Sequence, residues 1–549
     1  MKLKKDNSEQ KLRGSYYTPK KLADFIVKWA LADDHHRTNV LEPSCGDGVF
    51  LQSLAEYTSQ DVNCLGVELD EEEAKKSVAS IEHRTNFSVL NNDFFSVYES
   101  SLKNKQFDII VGNPPYIRYQ YLTNEQREAQ SKILVANGMK SNKLINAWVS
   151  FVVACVQMLS KKGKIGLVIP AELLQVAYAE DLRLFLVNNL SKITVVTFRE
   201  LVFKEVQQEV VILLGENLSE CQEVAENRIS VLEFADLESL DSDFGKLPVE
   251  YKSVDHTSDK WTKYFLTNEE INLVNDIKAT PHFRTFGEIA QVDIGITTGD
   301  NKYFSVKQET VDKFDLHDVV IPLIGRSAQA SGIFFTHDDW RKNVEKGVGA
   351  QLLNFPDIPF EEYPKGSKDY ILYGEQTEVN KGYKCSIRNR WYRVPSIWAP
   401  DAFFLRRNNT FPKFVLNAIN AVSTDTMHRI KFKEGVDPKK VLLSYYNSIS
   451  FAFTELEGRS YGGGVLEILP GEVEKVVLPD LGDLDDSVTE YLIQKLDITI
   501  RNNGDINPIL DEIDRKILIE KLGLEESVVS RFRVIWNKLM KRRHSRKSK

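Results

Sequence analysis

Short apolar runs, most of them stopped by Gly, Pro or an acid, alternate with helical patterns through the first 215 residues. The clearest run lies in Phe107-Asp-Ile-Ile-Val-Gly-Asn-Pro-Pro-Tyr-Ile-Arg118. Its Ile109 to Val111 core reads as a buried parallel strand. Pro114 and Pro115 end the strand and stiffen the backbone that follows. Further short strands are expected to end at Val40-Leu41, to run from Cys64 to Asp70, from Phe87 to Leu90 and from Lys164 to Pro170, and to recur late at Ile193 to Phe198 and Glu209 to Leu214. Between them, Leu22, Phe25, Ile26 and Trp29 recur at helical spacing, with Thr18 read as the N-cap and Pro19 as the first helical residue. Asn146 to Leu159 is a strongly apolar helix, Glu180 to Leu190 another, and the polar stretch Gln120 to Ser141 reads as a loop and helix over the site.

The pattern changes after this. Residues 216–250 are acidic and irregular, which suggests a boundary or a solvated edge. A helical segment near Asn268 to Ile277 follows. Phe286 to Phe304 alternates strand-like residues with Gly turns, and Gly458 to Pro470 reads as a turn and then a strand. The glycines there are not a phosphate loop, because no Lys-Ser or Lys-Thr follows them. From Asn507 the pattern is helical, and Lys541 to Lys549 form a basic tail expected to be disordered.

Composition narrows the class. A chain of 549 residues with 42% apolar content holds two or three domains. Its five cysteines (Cys45, Cys64, Cys155, Cys221, Cys385) are scattered without a CxxC pair. That pattern speaks for a reducing compartment and against a disulfide framework or a zinc site, and no metal is expected. No apolar run reaches membrane-spanning length, and no apolar region follows Met1-Lys-Leu-Lys-Lys-Asp6. A soluble cytoplasmic protein without membrane contact is the expectation. The net charge of -8 hides a basic stretch: residues 381–440 carry thirteen Lys or Arg against four acids, a local excess of nine. Tyr383, Trp391, Tyr392 and Trp398 are interleaved with these cations. Such a stretch can be a plain solvated face; as function, cations seat phosphates and Arg can read guanine edges.

The residues Asn113-Pro114-Pro115-Tyr116 suggest a specific chemistry. They place an amide, a free proline carbonyl and an aromatic ring at the C-terminal end of a strand, where open α/β sheets bind ligands. An exocyclic amino group of a nucleobase is a poor nucleophile, because its lone pair is delocalised into the ring. Two acceptors, the Asn113 side-chain oxygen and the Pro114 carbonyl, would draw that nitrogen toward tetrahedral geometry. Tyr116 would stack on the base, which must leave the duplex to arrive there. The same residues also suit an ordinary strand-ending turn. In Asn39 to Leu51, Gly46 and Gly48 let the backbone approach a ligand before a helix starts, or simply make a tight turn. Glu68, at the end of the second strand, is placed to accept from ribose hydroxyls, and Asp70 reads as a helix cap. The helix start at Thr18 offers N–H groups and a hydroxyl to an anion.

Gly14-Ser-Tyr-Tyr-Thr-Pro19, the Glu42-Pro43 loop with its glycines, and Asn113 to Tyr116 stand in an order that resembles the class II (gamma-order) N6-adenine DNA methyltransferases of restriction–modification systems. The resemblance spans roughly residues 11 to 215. It implies an α/β, Rossmann-like S-adenosylmethionine-dependent methyltransferase domain over 1–245, with the two late strands as an antiparallel hairpin. It further implies a linker over 246–280, a mixed α+β DNA target-recognition domain over 281–505, and a C-terminal helical segment with a basic tail over 506–549. The cofactor implied is S-adenosyl-L-methionine. Its contacts carry over to Tyr17, Thr18, Glu42, Ser44, Cys45, Gly46, Gly48, Glu68, Asp93, Phe94 and Asn113, with Glu42 facing the ammonium or sulfonium charge. Asn113, Pro114 and Tyr116 are the catalytic set, and Phe203 joins Tyr116 in stacking on the base; without the resemblance, Phe203 reads equally as a loop anchor in the core.

Arg388, Arg390, Arg393, Arg406 and Arg407 are the candidate DNA contacts. The implied activity is that of a site-specific adenine DNA methyltransferase, a monomer acting on double-stranded DNA. Its restriction endonuclease is expected as a separate chain, because no PD…(D/E)xK cluster stands in the sequence. N4-cytosine methylation, protein-glutamine methylation and a chemically silent DNA-binding subunit of a larger defence complex remain as alternatives.

Overall fold

The computed structural model describes residues 17–32, 38–141, 145–203, 209–217, 228–240, 247, 249–254 and 260–545. Residues 14–16 of the N-terminal tract, 204–208 after Phe203, 218–227, 241–246 and 248 of the acidic stretch, and the last four residues of the basic tail lie outside these. Two compact units form, Met1–Asn268 with Ser545–Lys549, and Glu269–His544. None of the described helices is long and apolar enough to cross a membrane.

The first unit is built on nine strands: β1 (Asn39–Glu42), β2 (Asn63–Glu68), β3 (Phe87–Asn91), β4 (Phe107–Gly112), β5 (Leu159–Pro170), β6 (Lys192–Phe198), β7 (Val210–Glu216), β8 (Arg228–Phe234) and β9 (Lys252–Ser253). They lie in the order β3-β2-β1-β4-β5-β7-β6-β8-β9. The strands β1 to β5 are mutually parallel, and β7 inserts antiparallel between β5 and β6. The late pair is therefore the expected antiparallel arrangement, and both strands are buried almost throughout. In β4, Ile109, Ile110 and Val111 are fully buried. Each such side chain contributes about 1.5–3 kcal/mol relative to exposure, which is why three residues suffice to hold the strand.

Five helices of this unit matter for the site: α1 (Lys20–Leu31), α2 (Val49–Tyr57), α3 (Glu71–Ser80), α4 (Asn124–Ala136) and α5 (Ala147–Gln157). Helix α1 lies directly on β5. A Cβ on Gly166 would stand 2.4 Å from Ile26 Cγ2, so only glycine permits this approach. Lys164 from the same strand donates to the Trp29 carbonyl in the last turn of α1 at 3.1 Å, a cation at the negative end of the helix. The start of α1 differs from expectation. Pro19 is the N-cap, and no side chain caps the helix. Thr18 has a different partner, described below.

Gly48 caps α2 with φ +87°, a conformation that glycine adopts without strain. A Cβ there would lie 2.9 Å from the Ser77 Cα and 2.8 Å from the Ser80 Oγ of α3. Gly48 is thus where two helices pack.

The stretch read as a linker, 246–280, is not one. Its Lys252–Ser253 extends the first unit's sheet, Trp261 and Tyr264 are buried, and Asn268–Ala279 is a helix. The second unit is mixed α+β. A five-stranded sheet runs in the order Ala290–Ile294, Met427–Phe432, Ala402–Leu405, Phe414–Asn417 and Phe334–Phe335. Arg459–Tyr461 and Val465–Glu467 form a hairpin where a turn and one strand were expected. The C-terminal helices are not a separate segment either. In the helix Glu526–Ser545, Trp536 meets Phe451 with ring centroids 5.1 Å apart. Of the tail expected to be disordered, Lys541 to Ser545 belong to this helix, and Arg543 is only 1% exposed. Its guanidinium lies 2.7 Å from Glu455 and donates to the Asn409 carbonyl at 2.6 Å. Burial pushes the Glu455 carboxyl above its usual range, and Arg543 opposes the shift.

Two stability tests follow from this packing. Arg543→Ala strands a buried carboxylate and is expected to cost about 3–5 kcal/mol, read as a lower urea midpoint; an unchanged midpoint would show the pair to be dispensable. Gly48→Ala is expected to cost about 2 kcal/mol through the forced φ and the α2–α3 clash, read in thermal melts; a melt equal to wild type would contradict the geometry.

Candidate active site

The chain leaves β1 on one side to form β2 and β3, then returns to place β4 and β5 on the other. Such a reversal opens a crevice at the carboxyl ends of the central strands. Here it holds a cavity of about 550 Å³, within the range of small-ligand sites. Each loop on this edge contributes to it: Tyr17 and Thr18 before α1, Glu42 to Asp47 after β1, Glu68 and Asp70 after β2, Asp93 and Phe94 after β3, and Asn113, Pro115 and Ile117 after β4.

Asn113 is held from three directions. Its Nδ2 donates to Thr18 Oγ1 at 3.1 Å, across 95 residues of sequence. Its Oδ1 accepts from the Tyr116 hydroxyl at 2.8 Å. Its backbone carbonyl accepts from Ser44 Oγ at 3.2 Å. Thr18 is therefore an acceptor for the Asn113 amide rather than a helix cap. Tyr116 Oη also lies 3.1 Å from the Val168 carbonyl, so the ring bridges β4 and β5. Among the described residues, no donor reaches the Pro114 carbonyl.

Below Asn113 the cavity is acidic. Glu68 accepts from the Gly46 N–H at 2.8 Å and from the Asp70 N–H at 2.9 Å, which fixes its carboxylate between two loops. Asp70 caps α3 by accepting from the N–H groups of Glu72 and Glu73 at 3.0 and 3.2 Å, as its sequence position suggests. Glu42 is 1% exposed, and its Oε2 has no hydrogen-bond partner. Burial, with Asp47 and Glu68 close by, pushes the Glu42 carboxyl well above the usual glutamate range. Burial also raises Glu68, against the pull of its backbone donors. A buried acceptor without a donor is costly, and three carboxylates around one cavity call for a positive charge. Tyr17 covers the rim, its hydroxyl donating to Glu73 Oε1 at 3.0 Å.

The opposite wall is apolar. Phe94 stacks on Phe151 of α5 with centroids 4.6 Å apart and an interplanar angle of 15°. Asp93 caps the turn that carries Phe94 by accepting from the Ser96 N–H at 3.0 Å. Gln126, from the capping box of α4, donates to the other Asp93 oxygen at 3.4 Å. The expected helix over the site is therefore present, and Leu122 and Gln126 bring it to the cavity.

Ser44, Cys45 and Gly46 line the cavity with these groups. Four of the expected residues do not. Gly48 faces α3. Pro114 is buried, and its side chain does not line the cavity. The Tyr116 ring packs against the core, and its hydroxyl is spent on Asn113 and Val168. Phe203 is 8% exposed within the same core cluster, so the structure shows it as a core anchor. Sequence reasoning missed Asp47, Phe151 and Gln126. Phe151 sits in a helix that is apolar all round, where no signal separates a cavity wall from core. Gln126 carried a signal, the Thr123-x-x-Gln126 capping box.

The five candidate DNA-contacting arginines are largely committed within the second unit. Arg388 donates to the Thr297 and Thr298 carbonyls at 3.1 and 2.7 Å. Arg390 and Arg393 both pair with Asp357, at 2.6 and 2.7 Å. Arg406 and Arg407 both pair with Glu467, at 3.0 and 3.2 Å. These acids lie outside the basic stretch or opposite it in the fold, so a charge count along the sequence overstates the free positive face.

Comparison with known proteins agrees with this architecture. Residues 45–203 match the Eco57I restriction-modification methylase model, and residues 258–518 match the C-terminal domain model of the Type II methyltransferase M.Eco57I. The Type II methyltransferase M.AccI of Acinetobacter calcoaceticus is 26% identical over 532 residues, covering 92% of this chain and 93% of its own. M.HindII of Haemophilus influenzae is 28% identical over 389 residues, covering 67% and 69%. In structure, the Type IIL restriction-modification enzyme MmeI, solved in complex with DNA, aligns over 95% of this chain and 74% of its own with a TM-score of 0.56 at 11% identity. The order of a switch-point methylase domain and a following mixed α+β unit, matched almost end to end by such relatives, places this chain in the family of Type II restriction–modification methyltransferases.

Proposed function

We propose that the protein transfers a methyl group from S-adenosylmethionine to the N6 amino group of an adenine flipped out of a specific duplex sequence. The observation that carries this reading is Asn113: a carboxamide held by Thr18 and Tyr116 at the mouth of an acidic cavity, next to an uncommitted Pro114 carbonyl.

The residues present fit the cofactor. The buried, unpartnered Glu42 Oε2 suits its ammonium or sulfonium charge. Glu68, fixed by two backbone donors, keeps lone pairs for ribose hydroxyls. The Phe94–Phe151 wall suits a flat purine, and Asp93 stands beside it for the purine's amino group. When bound, S-adenosylmethionine supplies an electrophilic methyl group.

The chain's own residues do the rest. Asn113 Oδ1 and the Pro114 carbonyl accept the two N–H hydrogens of the target amine, and this frees the nitrogen lone pair for in-line attack. The nitrogen gains one methyl and sheds one proton. Neither an amide nor a peptide carbonyl is basic enough to keep that proton, so it passes to water. Tyr116 has a positioning role through its hydrogen bond to Asn113. Alignment at contact distance supplies much of the rate. The second unit reads the DNA sequence, with the partly committed arginines as secondary contacts to phosphate. The enzyme acts as a monomer, and the endonuclease it protects against is a separate chain.

Asn113→Ala is expected to lower methyl transfer about a hundred- to a thousandfold, as loss of one preorganised electrostatic partner does, with cofactor affinity within a few-fold of wild type. Transfer of labelled methyl to mixed-sequence DNA measures the first and calorimetry the second; wild-type transfer by the variant would sink the assignment. Digestion of the product to nucleosides should give N6-methyl-2′-deoxyadenosine, and N4-methyl-2′-deoxycytidine would replace the adenine reading. Binding should also be linked to protons. The Glu42 carboxyl is raised without ligand, and a bound cation favours its ionised form. Binding therefore releases a proton, and affinity rises with pH from the ordinary glutamate range up through the raised Glu42 value. Calorimetry in two buffers of different ionisation enthalpy should register this release, and Glu42→Gln should abolish it.

A further inference from the structure

The reading of the second unit as the part that binds duplex DNA underlies this inference, and the side chains that touch bases remain to be assigned. Residues 379–400 carry five cations and no acid. Three of the five, Arg388, Arg390 and Arg393, are tied to carbonyls and to Asp357. What the segment leaves free is its helical turn Tyr383–Ser386 and the residue that follows it. Tyr383 is 75% exposed and Ile387 64%, the two most exposed large apolar side chains among the described residues. Two such side chains together on one turn mark a contact surface more than a solvated one.

The turn is also rigid. Cys385, between the two exposed residues, is fully buried in the core of this region. The N–H groups of Cys385 and Ser386 both donate to the Gly382 carbonyl, at 2.9 and 2.8 Å. Arg388 clamps the end of the turn to the 297–298 backbone at 3.1 and 2.7 Å. An apolar pair held in place this way loses little conformational entropy when it meets a partner. The charges around it identify that partner as anionic. Lys384 stands 5.9 Å from the Tyr383 ring centroid and has no ion pair among the described residues. Lys381 is paired only with the exposed Glu378 three residues before it, an arrangement that solvent screens and phosphate displaces.

We propose that Tyr383 and Ile387 are specificity-determining residues that contact base edges or a base step of the target duplex, while Lys384 meets an adjacent phosphate. Apolar contact discriminates a thymine methyl or a deformable step. The clamp formed by Arg388 and Cys385 has a positioning role.

The test uses the full-length protein and a library of duplexes randomised over their central region. Wild type, Tyr383→Ala/Ile387→Ala, Tyr383→Phe and Lys384→Ala are each selected on it and the bound sequences read. The double variant should lose information at one or two adjacent base pairs, with about tenfold less preference for the wild-type motif. Its dependence on salt should be unchanged. Tyr383→Phe should keep the motif. Lys384→Ala should weaken binding to all sequences alike and lower the salt slope by about one. An unchanged motif in the double variant overturns the assignment. A wild type that binds no duplex at low salt overturns the DNA-binding reading of the second unit itself, and this inference with it. An unchanged motif together with a wild-type dimer and a monomeric double variant in sedimentation would assign the turn to self-association instead.

Discussion

The orientation of one carboxamide depends on contacts from four separate parts of the chain. Asn113 stands at the end of β4, but its amide is fixed by Thr18, its carbonyl by Ser44 after β1, and its Oδ1 by Tyr116, which also reaches β5. Each bond is worth only about 0.5–1.5 kcal/mol net. Their value lies in direction: together they fix how the carboxamide points. Thr18 in turn is set by α1. That helix is held at one end by Lys164 and along its length by the contact of Ile26 with Gly166. The fit of a helix on a sheet thus becomes the aim of a side chain some 95 residues away.

The second organising quantity is local charge. The net charge of -8 describes neither region well. Glu42, Asp47 and Glu68 crowd one cavity; burial raises the affinity of Glu42 for protons, and Asp47 and Glu68 add to it. That arrangement is electrostatically costly, and a positive charge in the cavity would relieve it. In the second unit the opposite excess is tempered by internal pairs, with Asp357 and Glu467 each serving two arginines. Positive charge there is spent first on holding loops in place.

Much of this was legible in the order of residues. The apolar runs located β1 to β7, because most of these strands are buried and read as short hydrophobic stretches. Asn113, the Glu42 to Gly46 loop, Glu68, Asp93 and Phe94 could be assigned to one site because every one follows a strand on the same edge. What escaped had a three-dimensional cause. Thr18 carries the pattern of a helix cap, and only the fold reveals that Asn113 competes for its hydroxyl. Gly48 stands in a ligand loop, and its reason is a serine face of α3. Phe203 and Phe151 are both aromatic and apolar in context; the fold puts the first in the core and the second at the cavity, and no local signal separates them. The boundary at Asn268 was missed because β9 is two residues long. The basic terminus misled because Arg543 resembles its exposed neighbours until Glu455 is found opposite it.

The pairing of Arg543 with Glu455 also bears on how the chain is made. The two residues are separated by 88 positions, and the arginine is the later to be synthesised. While the ribosome adds those residues, the helix Ser448–Glu457 has neither its counter-ion nor the Trp536 ring that covers Phe451. The methylase unit, apart from its few C-terminal residues, is already translated by then and is free to settle as domains generally do, in order of emergence. The second unit must wait for nearly its last turn of helix. Its apolar interior is therefore exposed longest during biosynthesis, and there an early stop or a holdase chaperone would act most strongly.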